Sequence, residues 1–209
     1  MMQANDPALE VVDLIVTRGS HSIGPVSFQL SVANQLALTG RNGAGKSSVL
    51  QAIAGLLPVT SGSIKIGGQS VFCGSLEREP WQRGIDWLGQ ERGLWPHLSI
   101  EAQCQLVARD GGKTSGQIKA LAQLLDIGDR IDRLPVALSG GEAQRAELLR
   151  TVSGGGGLLL LDEPFSAQNQ DGCQRIETVL DQECQAGRSI LLALHQVDSE
   201  RETVALEEG

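Results

Sequence analysis

Apolar residues recur along this chain in two different rhythms. Short apolar runs stand at "LEVVDLIV" (Leu9–Val16), "VSFQL" (Val26–Leu30), "QLALT" (Gln35–Thr39), "GSIKI" (Gly62–Ile66) and "GIDWLG" (Gly84–Gly89). Their length and aliphatic content predict strands, the first two separated by a polar turn. "GKSSVLQAIAGLL" has helical spacing directly after the third run. From Glu91 to Leu138 the helical period takes over, most clearly in "IEAQCQLVAR" and "GQIKALAQLLDI". A helix over Glu142–Val152, a "SGGGG" turn, a buried strand in "LLLLDEP", a helix in "QRIETVLDQECQ" and a strand in "SILLALH" complete the pattern. Strands alternating with helices imply a parallel sheet covered on both faces. The chain thus reads as one α/β domain over 1–209. The block from about 91 to 138 interrupts the alternation and reads as an inserted helical subdomain.

Composition narrows this picture. Hydrophobic residues make up 41% and charged residues 20% of the 209 positions, as in soluble globular domains. Tyr is absent and aromatics reach only 3%, so Leu, Val, Ile and Ala must build the core. A net charge of -8 offers no basic footprint, and no nucleic acid is expected as a partner. Cys73, Cys104, Cys173 and Cys184 form no CxxC pair, which fits free thiols in a reducing compartment. The start, "MMQANDPALE", lacks the basic and apolar regions of a signal peptide. The run in "LLLLDEP" is too short to cross a bilayer. Contact with a membrane is expected only through a partner, from the cytoplasmic side.

Two stretches then carry the chemistry of phosphate. "GRNGAGKS" fits G-x-x-x-x-G-K-[ST] between a predicted strand and a predicted helix. Its glycines, Gly40, Gly43 and Gly45, allow successive N–H groups to turn onto a phosphate, with Arg41, Asn42, Ala44 and Ser48 completing the cradle. Lys46 adds a cation for the β- and γ-oxygens, and the Ser47 hydroxyl suits Mg²⁺. "LSGGEAQR", Leu138 to Arg145, is a second candidate anion site, in which Ser139, Gly140 and Gly141 run into a helix N-terminus. The plain alternative is a helix-capping turn. Asp162 and Glu163 leave the leucine strand at its carboxyl end, where ligands bind in open α/β sheets. Asp162 suits Mg²⁺ held through water, and Glu163, one residue further out, suits a general base.

These residues together resemble the nucleotide-binding subunits of ABC transporters. "GRNGAGKSS" looks like the Walker A loop, "LLLLDEP" like Walker B and "LSGGEAQR" like the ABC signature. Gln90 in "WLGQERGLWPHLSI" looks like the Q-loop glutamine, and His195 in "LLALHQVD" like the switch histidine. The resemblance runs from about Leu9 to His195. It implies a P-loop NTPase with a RecA-like parallel-sheet core, an antiparallel β part near the N-terminus and the helical subdomain. It also implies ATP and Mg²⁺ as cofactors, with Gln90 sensing Mg²⁺ and the attacking water and His195 contacting the γ-phosphate. In this family two subunits pair head to tail, and the signature of one closes over the nucleotide of the other. A second copy of this chain, transmembrane permease subunits and a solute-binding protein are the implied partners. "GLWPHLSI" is similar to a segment of importer ATPases for small solutes, where Trp95 fits a partner contact and equally well ordinary packing.

The chain departs from the family pattern in places. Arg18 stands where an aromatic residue usually stacks on adenine, and arginine can stack on a base face. "SAQN" replaces the usual "SALD", which puts Asn169 at the aspartate position of the D-loop. "SERETVALEEG" is short for the helix and strand expected after His195. Two readings follow. One is the ATP-hydrolysing subunit of a transporter, an importer of a small solute, favoured by Glu163 and His195. The other is an ATP-switched dimerising module with slow or no hydrolysis, favoured by Asn169 and the short end.

Overall fold

The leucine run is buried on every side, and this fixes the architecture around it. The protein is described by a computed structural model covering residues 6–19, 21–91, 93–108, 111–195 and 201–206. Its parallel sheet contains β3 (Gln35–Thr39), β7 (Ile85–Leu88), β8 (Leu158–Asp162), β9 (Ser189–Ala193) and β10 (Thr203–Ala205), in the order β10-β3-β9-β8-β7. Side chains alternate across β8 and its neighbours. Leu158, Leu160, Leu191, Ala193, Leu36 and Leu38 point into one cluster. Leu159, Leu161, Ile190, Leu192 and Ala37 point into another on the opposite face. A strand buried on both faces has no polar position to spare, hence the unbroken "LLLL".

The first cluster is roofed by α1 (Lys46–Ala54) and by an antiparallel sheet. That sheet has the order β2-β1-β4-β5-β6, formed by β1 (Leu9–Arg18), β2 (His21–Leu30), β4 (Val59–Ile66), β5 (Gln69–Cys73) and β6 (Leu76–Glu77). The second cluster is covered by α2 (Ile100–Val107), α3 (Ser115–Leu124), α4 (Gly140–Ser153) and α5 (Gln170–Gln185). Ile100, Cys104, Ile118 and Leu125 share this cluster with Leu159 and Leu161. The helical block at 91–138 therefore leans on the sheet through α4 and has no separate hydrophobic centre among the described residues.

The sequence pattern missed β5, β6 and β10, and it started β2 too late. β2 runs from His21 through "HSIGP", where alternation is broken because Gly24 lies against β1. Gly24 has φ +107, and a Cβ there would sit 2.2 Å from the Leu14 carbonyl oxygen. The extension matters, because it carries Ile23 to the phosphate loop. The stretch after His195 is described only at 201–206, where β10 pairs in parallel with β3. The helix thought to be skipped there, and the first five residues of the presumed leaderless start, lie outside the described residues. No helix among those described is long and apolar enough to cross a membrane.

At the amino ends of β7–β9 a charged network ties the helices to the sheet. Arg188 pairs with Asp86 of β7 and, at 3.0 Å, with Glu183 of α5. Its guanidinium also donates to the carbonyls of Gly156 and Val152 at 2.8 and 3.0 Å. Lys113, between α2 and α3, reaches the same Glu183 at 2.9 Å. Burial pushes the Asp86 carboxyl above the usual range, while Arg188 and the Gly156 N–H pull it down. We expect Arg188→Ala to cost about 3–5 kcal/mol at neutral pH, because it strands the buried Asp86 carboxylate, whereas Glu183 keeps Lys113. Without Arg188 the folded-state pKa of Asp86 rises further above its unfolded value, so charging it as pH rises costs stability. Denaturant titrations should therefore show the deficit shrinking as pH falls. A deficit that is constant with pH would rule out the stranded charge.

Candidate functional site

In a parallel sheet all strands leave at one edge. Here β3, β9, β8 and β7 lie side by side and deliver, in that order, the phosphate loop, His195, Asp162–Glu163 and Gln90. Neighbouring strands are about 4.8 Å apart, so segments distant in sequence meet within about 15 Å. They line a cleft of about 1130 Å³ that also takes in Arg18, His21, Ser22 and Ile23 from the β1–β2 hairpin.

The loop between β3 and α1 is bent by left-handed glycines. Gly45 has φ +95, and a Cβ there would lie 2.7 Å from the Ile23 side chain. Gly40 has φ +146, and its Cβ would lie 2.8 Å from the Leu206 carbonyl oxygen. Both positions exclude larger residues by contact as well as by conformation. The first capping bond of α1 runs from the Val49 N–H to the Gly45 carbonyl at 2.9 Å. The N–H groups of Lys46, Ser47 and Ser48 thus have no acceptor within the helix and are available to an anion. Lys46 is almost buried, and its ammonium donates to the Gly40 and Arg41 carbonyls at 2.7 and 3.1 Å. Asn42, Gly43 and Ala44 line the cleft, while Gly40 and Arg41 support the lysine from behind.

Glu163 is the hub on the opposite wall. His195 Nε2 lies 2.5 Å from Glu163 Oε1. The Gln90 amide donates to the same oxygen at 3.0 Å and to Ser47 Oγ at 3.1 Å. Asp162, behind it, is nearly fully buried, and its Oδ1 has no hydrogen-bond partner. Burial pushes the Asp162 carboxyl up from its ordinary value; the Ser47 hydroxyl bonded to it, Gln90 and Lys46 act against this, and the Glu163 charge adds to it. An orphaned buried carboxylate oxygen beside a hydroxyl and an amide is a hard oxygen donor set. These residues fit Mg²⁺, an ion that keeps several waters and takes few protein ligands.

Glu163 also sits in an uncommon backbone conformation. Its φ is +52, and Ala167 four residues on has φ +57. Non-glycine residues in this region cost on the order of 1–3 kcal/mol each and persist where surrounding contacts fix them. The Glu163 N–H bonds to the Ala193 carbonyl at 3.1 Å. The Glu163 carbonyl accepts from the Gln144 amide at 3.1 Å, and the same amide reaches Ser166 Oγ at 2.7 Å. Asn169 ends the turn by capping α5, its Oδ1 accepting from the Gly172 N–H at 2.8 Å.

Ser139, Gly140 and Gly141 are placed elsewhere; they do not line the cleft. Ser139 caps α4 in a reciprocal box: its Oγ accepts from the Glu142 N–H at 3.3 Å, and Glu142 Oε2 accepts from the Ser139 N–H at 2.7 Å. The Ser139 N–H, above all, holds the Glu142 carboxyl below its ordinary range. The stretch is a capping turn by geometry, and its residues stand outside the cleft that holds this chain's own phosphate loop. Trp95 packs under Arg150, 5.1 Å from guanidinium to ring centre, and its backbone N–H and carbonyl are held by Gln103 at 2.9 and 3.0 Å.

Sequence reasoning missed several lining residues. His21 pairs with Arg18 across the hairpin at the cleft mouth, a register visible only once β2 is extended. Glu147 and Arg150 enter from α4 and hold Gly93, with the Gly93 N–H 2.5 Å from Glu147 Oε1. Their spacing of three along α4 puts them on one face, but nothing local signals what that face meets.

Comparison with known proteins agrees with this geometry. Residues 23–166 match the ABC transporter family. The thiamine import ATP-binding protein ThiQ of Yersinia pseudotuberculosis is 35% identical over 181 residues, spanning 83% of this chain and 75% of that protein. ThiQ of Vibrio cholerae is 42% identical over 146 residues, 67% of this chain and 60% of that protein. A solved structure of an ABC transporter ATP-binding protein from Pyrococcus furiosus superposes with a TM-score of 0.81, covering 95% of this chain and 96% of that one. At 21% identity it bears on the fold alone. With the family matched over most of its length and the motif residues gathered at one sheet edge, this chain belongs to the ABC transporter family as an ATP-binding subunit with ATPase chemistry.

Proposed function

We propose that this chain powers import of a small solute by hydrolysing ATP in a head-to-tail dimer beneath transmembrane permease subunits. The observation that carries the reading is the convergence of Gln90 and His195 on one oxygen of Glu163, opposite the phosphate loop. The thiamine importer relatives support the direction of transport and a small-solute cargo. The absence of Ser139–Gly141 from the cleft supports completion of the site by a second copy. A solute-binding protein and a cytoplasmic, membrane-peripheral location belong to the same reading, as does a single ABC ATPase domain over 1–209 with a helical subdomain near 91–138.

Each residue then has a role. Gly40–Ser48 cradle the phosphates and Lys46 moves from the loop carbonyls to the β/γ oxygens. Ser47, Gln90 and Asp162 hold Mg²⁺, which when bound offsets phosphate charge. Glu163 takes a proton from the water that attacks the γ-phosphorus as the bond to the β–γ bridging oxygen breaks, and ADP leaves with that electron pair. His195 holds Glu163 and the γ-phosphate in register.

The deciding experiment is steady-state ATP turnover of the parent and of Glu163→Gln, with the permease present and ATP saturating. Losing a general base should slow turnover roughly 10²–10⁴-fold. Equal turnover in the two proteins would exclude Glu163 as the base. No turnover in either would favour the ATP-switched module that Asn169 suggested. Lys46→Ala should weaken ATP binding by about tenfold to a hundredfold, the worth of a charge-assisted contact, as read by calorimetry. Unchanged affinity there would overturn the phosphate-loop assignment. Asp162→Asn should raise the melting point of the nucleotide-free protein, gaining about 1 kcal/mol by removing a buried charge that Ser47, Gln90 and Lys46 offset only in part. It should also abolish the effect of Mg²⁺ on ATP affinity; a variant that melts lower and still responds to Mg²⁺ would refute the assignment of that carboxylate.

A further inference from the structure

Gln168 occupies the first of the two unusual positions in "SAQN", and its side chain is engaged at both ends. Its Nε2 donates to the Gly141 carbonyl at 3.2 Å and to Gln144 Oε1 at 3.0 Å. Its Oε1 accepts from Arg145 Nη1 at 3.0 Å, and Arg145 Nε is anchored on the Leu125 carbonyl at 2.7 Å. Gln144 in turn donates to the Glu163 carbonyl at 3.1 Å and to Ser166 Oγ at 2.7 Å. Every donor and acceptor here is half-buried or at the edge of the turn. A continuous polar chain therefore runs from Gly141, at the head of α4, through Gln168 and Gln144, to the peptide that carries Glu163.

The turn at the far end is the one with left-handed Glu163 and Ala167. A backbone held off its preferred conformation needs contacts to fix it, and it responds when they shift. Gly141 lies beside this turn: a Cβ there would make ordinary contacts, 3.5 Å from the Ala167 carbonyl oxygen and 3.7 Å from Gln168 Nε2, so the link between them is the hydrogen bond to the Gly141 carbonyl. Displacement of the α4 head would reach the turn through these hydrogen bonds. We propose that Gln168, together with Gln144, is a positioning relay: it links occupancy of the signature end of α4 to the orientation of Glu163 in the same chain. The inference rests on the head-to-tail reading, in which the signature touches the partner's nucleotide while Glu163 serves this chain's own. The relay then makes one ATP site responsive to the other, a coupling between two distinct sites through one shared element.

The test uses the full-length chain with Mg²⁺-ATP. ATP affinity of the monomer, ATP-dependent dimerisation by light scattering, turnover and thermal stability are measured for the parent, Gln168→Leu, Gln144→Leu and the double variant. A second variant, Gln168→Glu, keeps the acceptor for Arg145 and loses both donors. Gln168→Leu and Gln168→Glu should bind ATP as the parent does and still dimerise. Their kcat should fall between about tenfold and a hundredfold, as expected for a slightly misplaced reacting group, with KM held. The ATP dependence of turnover should lose its cooperativity, the Hill coefficient falling towards one. The double variant should be no slower than the slower single variant, because both residues act in one chain. Parent-like kcat and Hill coefficient in Gln168→Leu would overturn the relay while leaving the dimer reading intact. So would a loss of turnover matched by lost ATP affinity or stability, or additive losses in the double variant. A parent that binds ATP but forms no dimer would overturn the head-to-tail reading, and the relay with it.

Discussion

The structure depends on one geometric constraint: a parallel sheet sends all its strands out at the same edge. Each return to that edge needs a long crossover, so every strand end there is far in sequence from its neighbours. This is why Lys46, Gln90, Glu163 and His195 stand more than thirty residues apart along the chain and still share one cleft. The five-residue strands are short, and their burial on both faces keeps them in register. Because two faces are buried, slipping any strand by one residue would exchange its two apolar sets between different clusters. Fixing the sheet therefore fixes the relative heights of the motifs, and the hydrogen bonds among them can be short without help from a ligand.

The two edges of the sheet treat charge in opposite ways. At the amino edge, Arg188 pairs with both Asp86 and Glu183, so the buried charges there are matched, although the neutral Gln35 Oε1 at the start of β3 has no partner. At the carboxyl edge, Asp162 Oδ1 lacks a partner, Lys46 is held only by loop carbonyls, and Glu163 is kept in a left-handed conformation. Unmatched charge lies at the carboxyl edge, where a polyanion and a cation would meet it. The stability carried by the hydrophobic layers and the amino-edge network is what lets the other edge remain unsatisfied.

Much of this was legible in the sequence, for local reasons. A strand that must be buried on both sides reads as "LLLL", and a loop that must admit left-handed bends reads as "GRNGAGK". Most site residues read from the motifs line one cleft, while Gly40 and Arg41 stand behind Lys46 and Ser139, Gly140 and Gly141 lie elsewhere. What was not legible rests on contacts across long sequence distances. Arg188 and Asp86 are ordinary surface-type residues until the fold brings them together. β2 was cut short because Gly24 and Pro25 break the alternation, yet the strand continues for the sake of a close approach to Leu14. The engagement of Gln168 was invisible, since the eye is drawn to Asn169 beside it, which here only caps α5.

The alternation along Leu158–Leu161 has a consequence for how this chain can vary. Residues adjacent in sequence face different surroundings: Leu158 and Leu160 meet α1 and the antiparallel sheet, whereas Leu159 and Leu161 meet α4 and α5. A change of size at one of these leucines is therefore felt not by its covalent neighbours but by the elements packed on its own side, α1 and the antiparallel sheet for one pair and α4 and α5 for the other. The run looks like a uniform stretch of leucine, but it is divided between two independent packing environments. One is shared with the elements that hold the phosphate loop, the other with the elements that carry the signature.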